Sequence, residues 1–275
     1  FVWMGEILFR TKLSENLFKG LSPWMQKLPG GLIHVNVVGC ALFAAISGSS
    51  AATVATVGKM SIPELRKRNY PEKILLGSLA GSGTLGLLIP PSIILIIYGV
   101  AVQESIAKLF IAGIIPGIMI ALIFMSYVII WSLINKKSMP KIIEEYSFFE
   151  KIKRSKQLLP VIILILAVIG SIYTGIATAT EAASLGVVGA LILSYFQKSL
   201  TLKTFKSSLL GATKTSCMIA FILAGSTFLS LAMGFTGLPR NLALWIQNME
   251  LSPYVLIFVL MIFYIILGMF LDGIS

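Results

Sequence analysis

The feature that most constrains this chain is a succession of apolar segments, several of them close to the roughly 20 residues that a helix needs to cross a bilayer. Backbone amides in hydrocarbon must be hydrogen-bonded within the protein, so only helices and closed barrels can span a membrane. These segments are continuous rather than alternating, which favours helices. Charged residues make up 12% of the chain, against about 25% in soluble proteins. We therefore predict an all-α polytopic membrane protein.

Basic residues lie between the apolar segments rather than within them. The net charge is +11, and all of the 22 Lys and Arg residues except Lys108 and Arg240 fall into four clusters, at 10–27, 59–73, 136–156 and 198–214. Cytoplasmic loops attract basic residues, so we expect all four clusters on the inner face and a lipid bilayer, not nucleic acid, as the partner. The crossings consistent with this are 74–102, 109–134, 158–176, 177–196, 211–235 and 254–271.

The apolar region 32–57 does not fit a single crossing, because the clusters on both sides of it are predicted to be cytoplasmic. Four small residues, Ser47 to Ser50, interrupt it. We predict a re-entrant hairpin with its tip at these residues, where Ser49 or Ser50 caps a helix beginning near Ala51. Such a helix start suits an anionic group, and the carbonyls that end the preceding half-helix near Ile46 suit Na⁺. A packing notch of small residues is the alternative.

A second interruption is predicted at Pro90 and Pro91. Proline has no amide hydrogen, so the carbonyls of Gly86 and Leu87 lose their helical partners. The pattern predicts a discontinuous helix with Ser92 near the start of its second half.

Two further segments contain an acid beside a predicted span. Charge is costly there and often functional, but Glu181 also stands three residues after Thr178, the spacing of a capping box, and both interpretations stay open. Gly268 and Asp272 follow the last apolar run. Between the spans, 144–156 is predicted to form a surface helix or arm on the inner face, and 200–206 a short interfacial helix.

The remaining reactive side chains predict neither an enzyme nor a resident cofactor. His34 is the only histidine, and Cys40 and Cys217 lie alone in apolar stretches. A membrane enzyme would require clustered catalytic side chains. A proton-coupled transporter would require intramembrane acids or histidines, of which the spans offer almost none besides Glu181 and Asp272, so Na⁺ coupling is favoured. A non-transporting structural subunit would have no need of two broken helices.

In this order, the segments 30–31, 43–58, 83–92, 112–117, 180–183 and 268–272 resemble the large membrane subunit of tripartite ATP-independent periplasmic (TRAP) transporters, the DctM-like family. The resemblance implies an elevator-type transporter with two inverted repeats, each with a re-entrant hairpin and a broken helix. It implies Na⁺-coupled import of organic acids, such as sialic acid or a C4-dicarboxylate, across the bacterial inner membrane. A periplasmic binding protein and a small four-helix membrane subunit are the implied partners.

The resemblance also implies which residues bind substrate or ion. They are Ser47, Gly48, Ser49, Ser50, Thr53, Gly86, Pro90, Pro91, Ser92, Thr180, Glu181, Gly268 and Asp272, with Na⁺ near Ser47, Ser49 and Gly268. One departure is Ala179, which stands where the family often has proline.

The same resemblance divides the chain into segments. They are a scaffold-span end with a basic interfacial segment (1–31), the first hairpin (32–58), the broken helix with its following span (59–135), a cytoplasmic arm (136–157), scaffold spans of the second repeat (158–251) and the start of a second hairpin region (252–275). The chain starts without methionine, and the second hairpin is only begun, so we expect that this fragment alone does not transport.

Overall fold

The computed structural model describes residues 1–11, 13–140 and 146–271, and within these ranges the chain is helical, with no β-strand. The α-helices are α1 (Val2–Phe9), α2 (Leu13–Met25), α3 (His34–Ser47), α4 (Ser50–Lys67), α5 (Glu72–Gly83), α6 (Ile93–Val102), α7 (Ile106–Ile134), α8 (Phe148–Ser155), α9 (Leu159–Tyr173), α10 (Ala179–Phe196), α11 (Leu202–Thr236), α12 (Leu238–Gln247) and α13 (Pro253–Phe270). Short 3₁₀ helices occupy Gly31–Ile33, Thr84–Leu87 and Lys136–Ser138. The all-α prediction is confirmed.

Four of the described helices, α7, α10, α11 and α13, are long and apolar enough to cross a membrane. A fifth candidate is α9 taken together with α8, from which it is bent by 55°. These helices lie where the sequence predicted spans, with ends that differ by a few residues except at α11. The protein is therefore a multi-pass membrane protein.

The chain divides into two compact units, Phe1–Ala212 and Thr213–Ser275. In the first unit α3 is central, because it packs against α1, α2, α4, α5 and α7. Its Phe43 and Ile46 are completely buried, and Leu65 and Leu75 of the neighbouring helices are buried with them. In the second unit the side chains of α12 and α13 are largely exposed, as expected for apolar helices that face lipid or other protein.

Two of the helices beside the predicted interruptions, α3 and α6, are too short to cross a bilayer. Helix α3 has 14 residues and α6 has 10, which correspond to about 21 Å and 15 Å of helix against about 30 Å of hydrocarbon. Helix α4 continues through Gly58 and Pro63 to Lys67, so it is longer than the second half of the predicted hairpin. Its last turn carries Arg66 and Lys67, two of the five basic residues in the cluster 59–73.

Small residues on α10 allow two helices to approach it closely. Ala182, Gly186 and Ala190 recur every fourth residue and face the same side of the helix. A Cβ atom on Gly186 would lie 2.5 Å from Met4 Sδ of α1 and 3.2 Å from Val168 Cγ2 of α9. This stripe fixes α1 and α9 against α10 within the first unit.

Of two connections that the sequence predicted to be helical, one differs in the structure. The segment 200–206 was predicted to be a separate interfacial helix, but Leu202 to Lys206 form the first turns of α11, which runs unbroken to Thr236. No proline interrupts it, so helical hydrogen bonding continues. The predicted surface helix of 144–156 is present as α8, which begins with an unpredicted capping box between Ser147 and Glu150. Residues 141–145 lie outside the described ranges.

Candidate functional site at the hairpin tip

The hairpin tip is a two-residue turn between α3 and α4. Gly48 ends α3 with φ of 59°, a left-handed conformation that costs an L-residue about 1–2 kcal/mol. Ser49 is the N-cap of α4, and its Oγ accepts a hydrogen bond from Ala52 N at 3.4 Å. The predicted cap and both predicted helix ends are thus confirmed to within a residue.

The second interruption is also present. Helix α5 and the 3₁₀ turn Thr84–Leu87 end before Pro90 and Pro91, which are joined by a cis peptide bond, and α6 begins at Ile93. Ser92 is the N-cap of α6: its Oγ accepts from Leu95 N at 3.5 Å and donates to Leu87 O at 2.5 Å. The hydroxyl therefore satisfies a carbonyl that the prolines leave without a helical partner.

The two interruptions lie against each other. The backbone amide of Ile93 donates to Gly48 O at 3.3 Å. A Cβ atom on Gly48 would lie 2.5 Å from Pro91 O, and one on Gly86 would lie 2.9 Å from Ser49 O and Ser50 N. Only glycine permits backbone contact this close, so the hairpin tip and the helix break form one backbone-to-backbone junction.

Helix α7 supports this junction from the other side. A Cβ atom on Gly113 would lie 2.8 Å from Leu88 O, and one on Gly117 would lie 2.9 Å from Ile89 Cγ1. These glycines belong to the segment 112–117, which contributed to the family resemblance but not to the predicted site. Their four-residue spacing, which puts both on one helix face, was the available signal.

The junction brings two helix N-termini together. Helices α4 and α6 both begin here, after the N-caps Ser49 and Ser92, and the first amides of a helix have no partners inside that helix. Helix α3 ends at the same place and presents carbonyl oxygens. Two positive dipole ends favour a carboxylate, and free carbonyls favour a hard cation.

The hydroxyl groups at the tip are partly engaged in local hydrogen bonds. Ser47 Oγ lies 3.0 Å from Thr53 Oγ1, which donates to Ser49 O at 2.7 Å. Ser47, Thr53 and Ser92 are buried, whereas Ser49 and Ser50 are half-buried and so more accessible to a ligand. Oxygen atoms from both sides of the turn thus converge without any carboxylate, and among the described residues no group of three or more His, Cys, Asp or Glu side chains is placed to hold a metal.

Two of the other predicted site residues, Thr180 and Glu181, lie at the start of α10. Glu181 forms a capping box with Thr178, accepting from Thr178 N and Thr178 Oγ1 at 2.8 Å each. Thr180 belongs to the first turn of α10, where its carbonyl accepts from Ser184 Oγ at 3.2 Å. The cap interpretation of Glu181 therefore has direct support. Gly268 lies in α13 of the second unit, and Asp272 lies outside the described residues.

One acid near the apolar core was not predicted from the sequence. Glu6 of α1 forms an ion pair with Arg10 at 2.8 Å, and a Cβ atom on Gly211 of α11 would lie 2.5 Å from Glu6 Oε2. Beside it, Trp3 Nε1 donates to Ser208 Oγ at 3.3 Å. An acid in an apolar helix with arginine four residues later was the signal for such a pair.

Two interrupted helices in a multi-pass α-helical protein are a feature of membrane transport proteins. The family follows from comparison with known proteins. Residues 1–275 match the family model of the tripartite ATP-independent periplasmic transporter, DctM component. The chain belongs to this family.

Several relatives are similar over essentially the whole chain. The C4-dicarboxylate TRAP transporter large permease protein DctM of Pseudomonas aeruginosa is 32% identical over 274 residues, which are 99% of this chain and 63% of that protein. The sialic acid TRAP transporter large permease protein SiaM of Vibrio cholerae is 31% identical over 278 residues, 100% of this chain and 64% of that protein. The 2,3-diketo-L-gulonate TRAP transporter large permease protein YiaN of Escherichia coli is 32% identical over 280 residues, 99% and 64% respectively. The chain thus spans less than two thirds of the length of these relatives, which are transporter subunits and not enzymes.

Proposed function

We propose that this chain is part of the large permease subunit of a Na⁺-coupled secondary transporter that imports an organic acid across the bacterial inner membrane. A periplasmic binding protein delivers the acid, and a small four-helix membrane subunit accompanies the permease. The three relatives described above are named for a C4-dicarboxylate, sialic acid and 2,3-diketo-L-gulonate, each of which carries a carboxylate. The substrate class we propose is therefore a small carboxylate.

The observation that carries the proposal is the junction of hairpin tip and helix break, held by the hydrogen bond from Ile93 N to Gly48 O. Because α4 and α6 both start there, their amides and dipoles attract the carboxylate of the substrate. The accessible hydroxyls are those of Ser49 and Ser50. We propose that these residues, with Ser92 as the group that orients the start of α6, form this half of the substrate site.

Na⁺ binds, in this proposal, to carbonyl and hydroxyl oxygens around Ser47 and Ser49, with Thr53 completing the local network. Gly268 and Asp272 stay predicted substrate- or ion-binding residues of the second hairpin region. Na⁺ drives import only if its affinity differs between the outward and inward states. The junction offers a mechanism for such a difference, because an elevator-type movement would carry α3, α4, α5 and α6 together past the scaffold spans.

Reconstitution of the full-length protein tests the proposal. The permease, its small subunit and a candidate binding protein are placed in proteoliposomes, and labelled organic acids are supplied outside. Uptake that requires both an inward Na⁺ gradient and the binding protein is expected. Uptake driven by a pH gradient without Na⁺ would show that the transporter is coupled to H⁺ and not to Na⁺. No uptake of any acid would favour a structural subunit.

A further inference from the structure

An exposed aromatic surface lies on α8 and the adjoining end of α2. Phe148, Phe149 and Ile152 are 66%, 82% and 41% exposed, and the neighbouring Trp24 is 41% exposed. Together with Lys151, Lys153 and Lys156 these residues form what we call the α8 surface. Large apolar side chains exposed beside charged ones indicate a binding surface rather than a solvated helix.

The apolar and the basic residues of α8 lie on different parts of the helix surface. At about 100° per residue, Phe148, Ile152 and Phe149 fall within one arc of roughly 100°. Lys151 and Lys153 lie just beyond the two edges of this arc, and Lys156 follows at the end of the helix. Lysines at the borders of an apolar face can lay their alkyl chains along that face and extend their ammonium groups away from it. This is the geometry of a helix at a membrane interface.

Contacts with α2 fix the orientation of this surface. Trp24 Nε1 donates to Ser155 Oγ at 2.8 Å, and the ring centroids of Trp24 and Phe148 are 6.3 Å apart in an edge-to-face arrangement. Lys151 Nζ lies 5.5 Å from the Trp24 ring centroid. These contacts hold one side of α8 and leave Phe149 and Ile152 facing outward.

The bend between α8 and α9 places the surface obliquely to a candidate span. The two helices differ in direction by 55°, and α9 continues as an apolar helix from Leu159 to Tyr173. Because α8 and its C-cap carry four basic residues, we expect α8 to lie at the headgroup region rather than within hydrocarbon, with α9 as the apolar part of this candidate span.

We propose that the α8 surface binds acidic phospholipids of the cytoplasmic leaflet, with the aromatic side chains at the acyl boundary and the lysines on the headgroup phosphates. The charges on α8 complement those of an anionic leaflet. Lys151, Lys153, Arg154 and Lys156 outnumber the one acid of α8, Glu150, whose carboxylate already accepts from Ser147 N at 3.0 Å. Basic residues beside an anionic leaflet attract its lipids, and aromatic rings locate at the same depth.

Lipid retention by the full-length permease tests this proposal and does not require transport. The protein is equilibrated in nanodiscs of equal parts phosphatidylglycerol and phosphatidylcholine, extracted gently, and its bound lipids are quantified by mass spectrometry. The double variant Lys151→Gln/Lys153→Gln should lower the retained phosphatidylglycerol-to-phosphatidylcholine ratio by about fivefold for each cation removed. The matched control Lys108→Gln/Arg240→Gln removes the same charge on the predicted outer side and should leave the ratio unchanged. An unchanged ratio in the first variant, or an equal fall in the control, would overturn the proposal.

Quenching of Trp24 fluorescence gives a second readout that a general loss of stability would not reproduce. With Trp24 kept and every other tryptophan of the full-length permease replaced by Phe, including Trp3, Trp131 and Trp245, phospholipids brominated near the glycerol should quench Trp24 more than those brominated near the chain ends. Phe148→Ser/Phe149→Ser should reduce this quenching, whereas the lysine variants should reduce it only in phosphatidylglycerol. Quenching that appears only when the small membrane subunit is omitted would show that a protein, not lipid, covers this surface.

Discussion

At the scale of single residues, the account depends most on Gly48. Its φ of 59° and the 2.5 Å that would separate an added Cβ from Pro91 O leave no room for a side chain. Gly48→Ala should destabilise the protein by at least about 2 kcal/mol, through left-handed strain and overpacking. Thermal unfolding in detergent measures this.

Gly77→Ala is the control for Gly48→Ala. Gly77 lies within α5, and a Cβ atom there would meet nothing within 4 Å. Because alanine is the better helix former, this variant should be neutral or slightly stabilised. Equal thermal stability of the two variants would show that the junction does not need glycine at its tip.

Ser50 tests the function of the tip rather than its stability. Its side chain is half-buried at the start of α4, where we propose that substrate binds. Ser50→Leu should abolish uptake of the organic acid while expression and membrane insertion remain normal. Ser226→Leu, at an exposed position within α11, should leave uptake unchanged. Uptake that survives in Ser50→Leu would show that the small residues at the tip serve only to pack against neighbouring helices.

At the scale of elements, local chemistry explains why some features were predictable. The caps at Ser49 and Ser92 follow from a hydroxyl beside a chain interruption, and the interruptions follow from glycine, serine and proline. The support of the break by Gly113 was not predictable, because it depends on which helix face meets Leu88. The continuity of α11 was also missed, because 200–206 was predicted to be a separate interfacial helix.

The start of α10 gives a prediction that separates two roles of Glu181. Because its carboxylate accepts hydrogen bonds from Thr178, Glu181→Ala should lower the thermal unfolding temperature through loss of the capping box. The Na⁺ concentration that gives half-maximal uptake should not change. A large change in that concentration with little loss of stability would instead place Glu181 in the ion site.

The contact between α7 and the helix break gives a further prediction. Gly113→Val would place a branched side chain where even a Cβ atom lies 2.8 Å from Leu88 O, so the break must move away from α7. We expect a marked fall in uptake and in thermal stability. Gly170→Val in α9, where a Cβ atom meets nothing within 4 Å, is the matched control. Full uptake in Gly113→Val would show that α7 does not support the break.

At the scale of the whole molecule, the distribution of charge predicts the orientation in the membrane. Single cysteines at Lys153 and Lys198, in a background without Cys40 and Cys217, should react with an impermeant maleimide only from the cytoplasmic side. A cysteine at Lys108 should react only from the periplasmic side. If the cysteines at positions 153 and 108 react from the same side of the membrane, the predicted topology is wrong.

The central claim is that the hairpin tip and the helix break together bind an organic acid in a Na⁺-dependent cycle. Its most direct test is uptake by the reconstituted full-length permease with its small subunit and a candidate binding protein, compared with and without an inward Na⁺ gradient. The account predicts uptake that needs both the gradient and the binding protein and is lost in Ser50→Leu. Uptake that continues without Na⁺, or that is unaffected by Ser50→Leu, would contradict it.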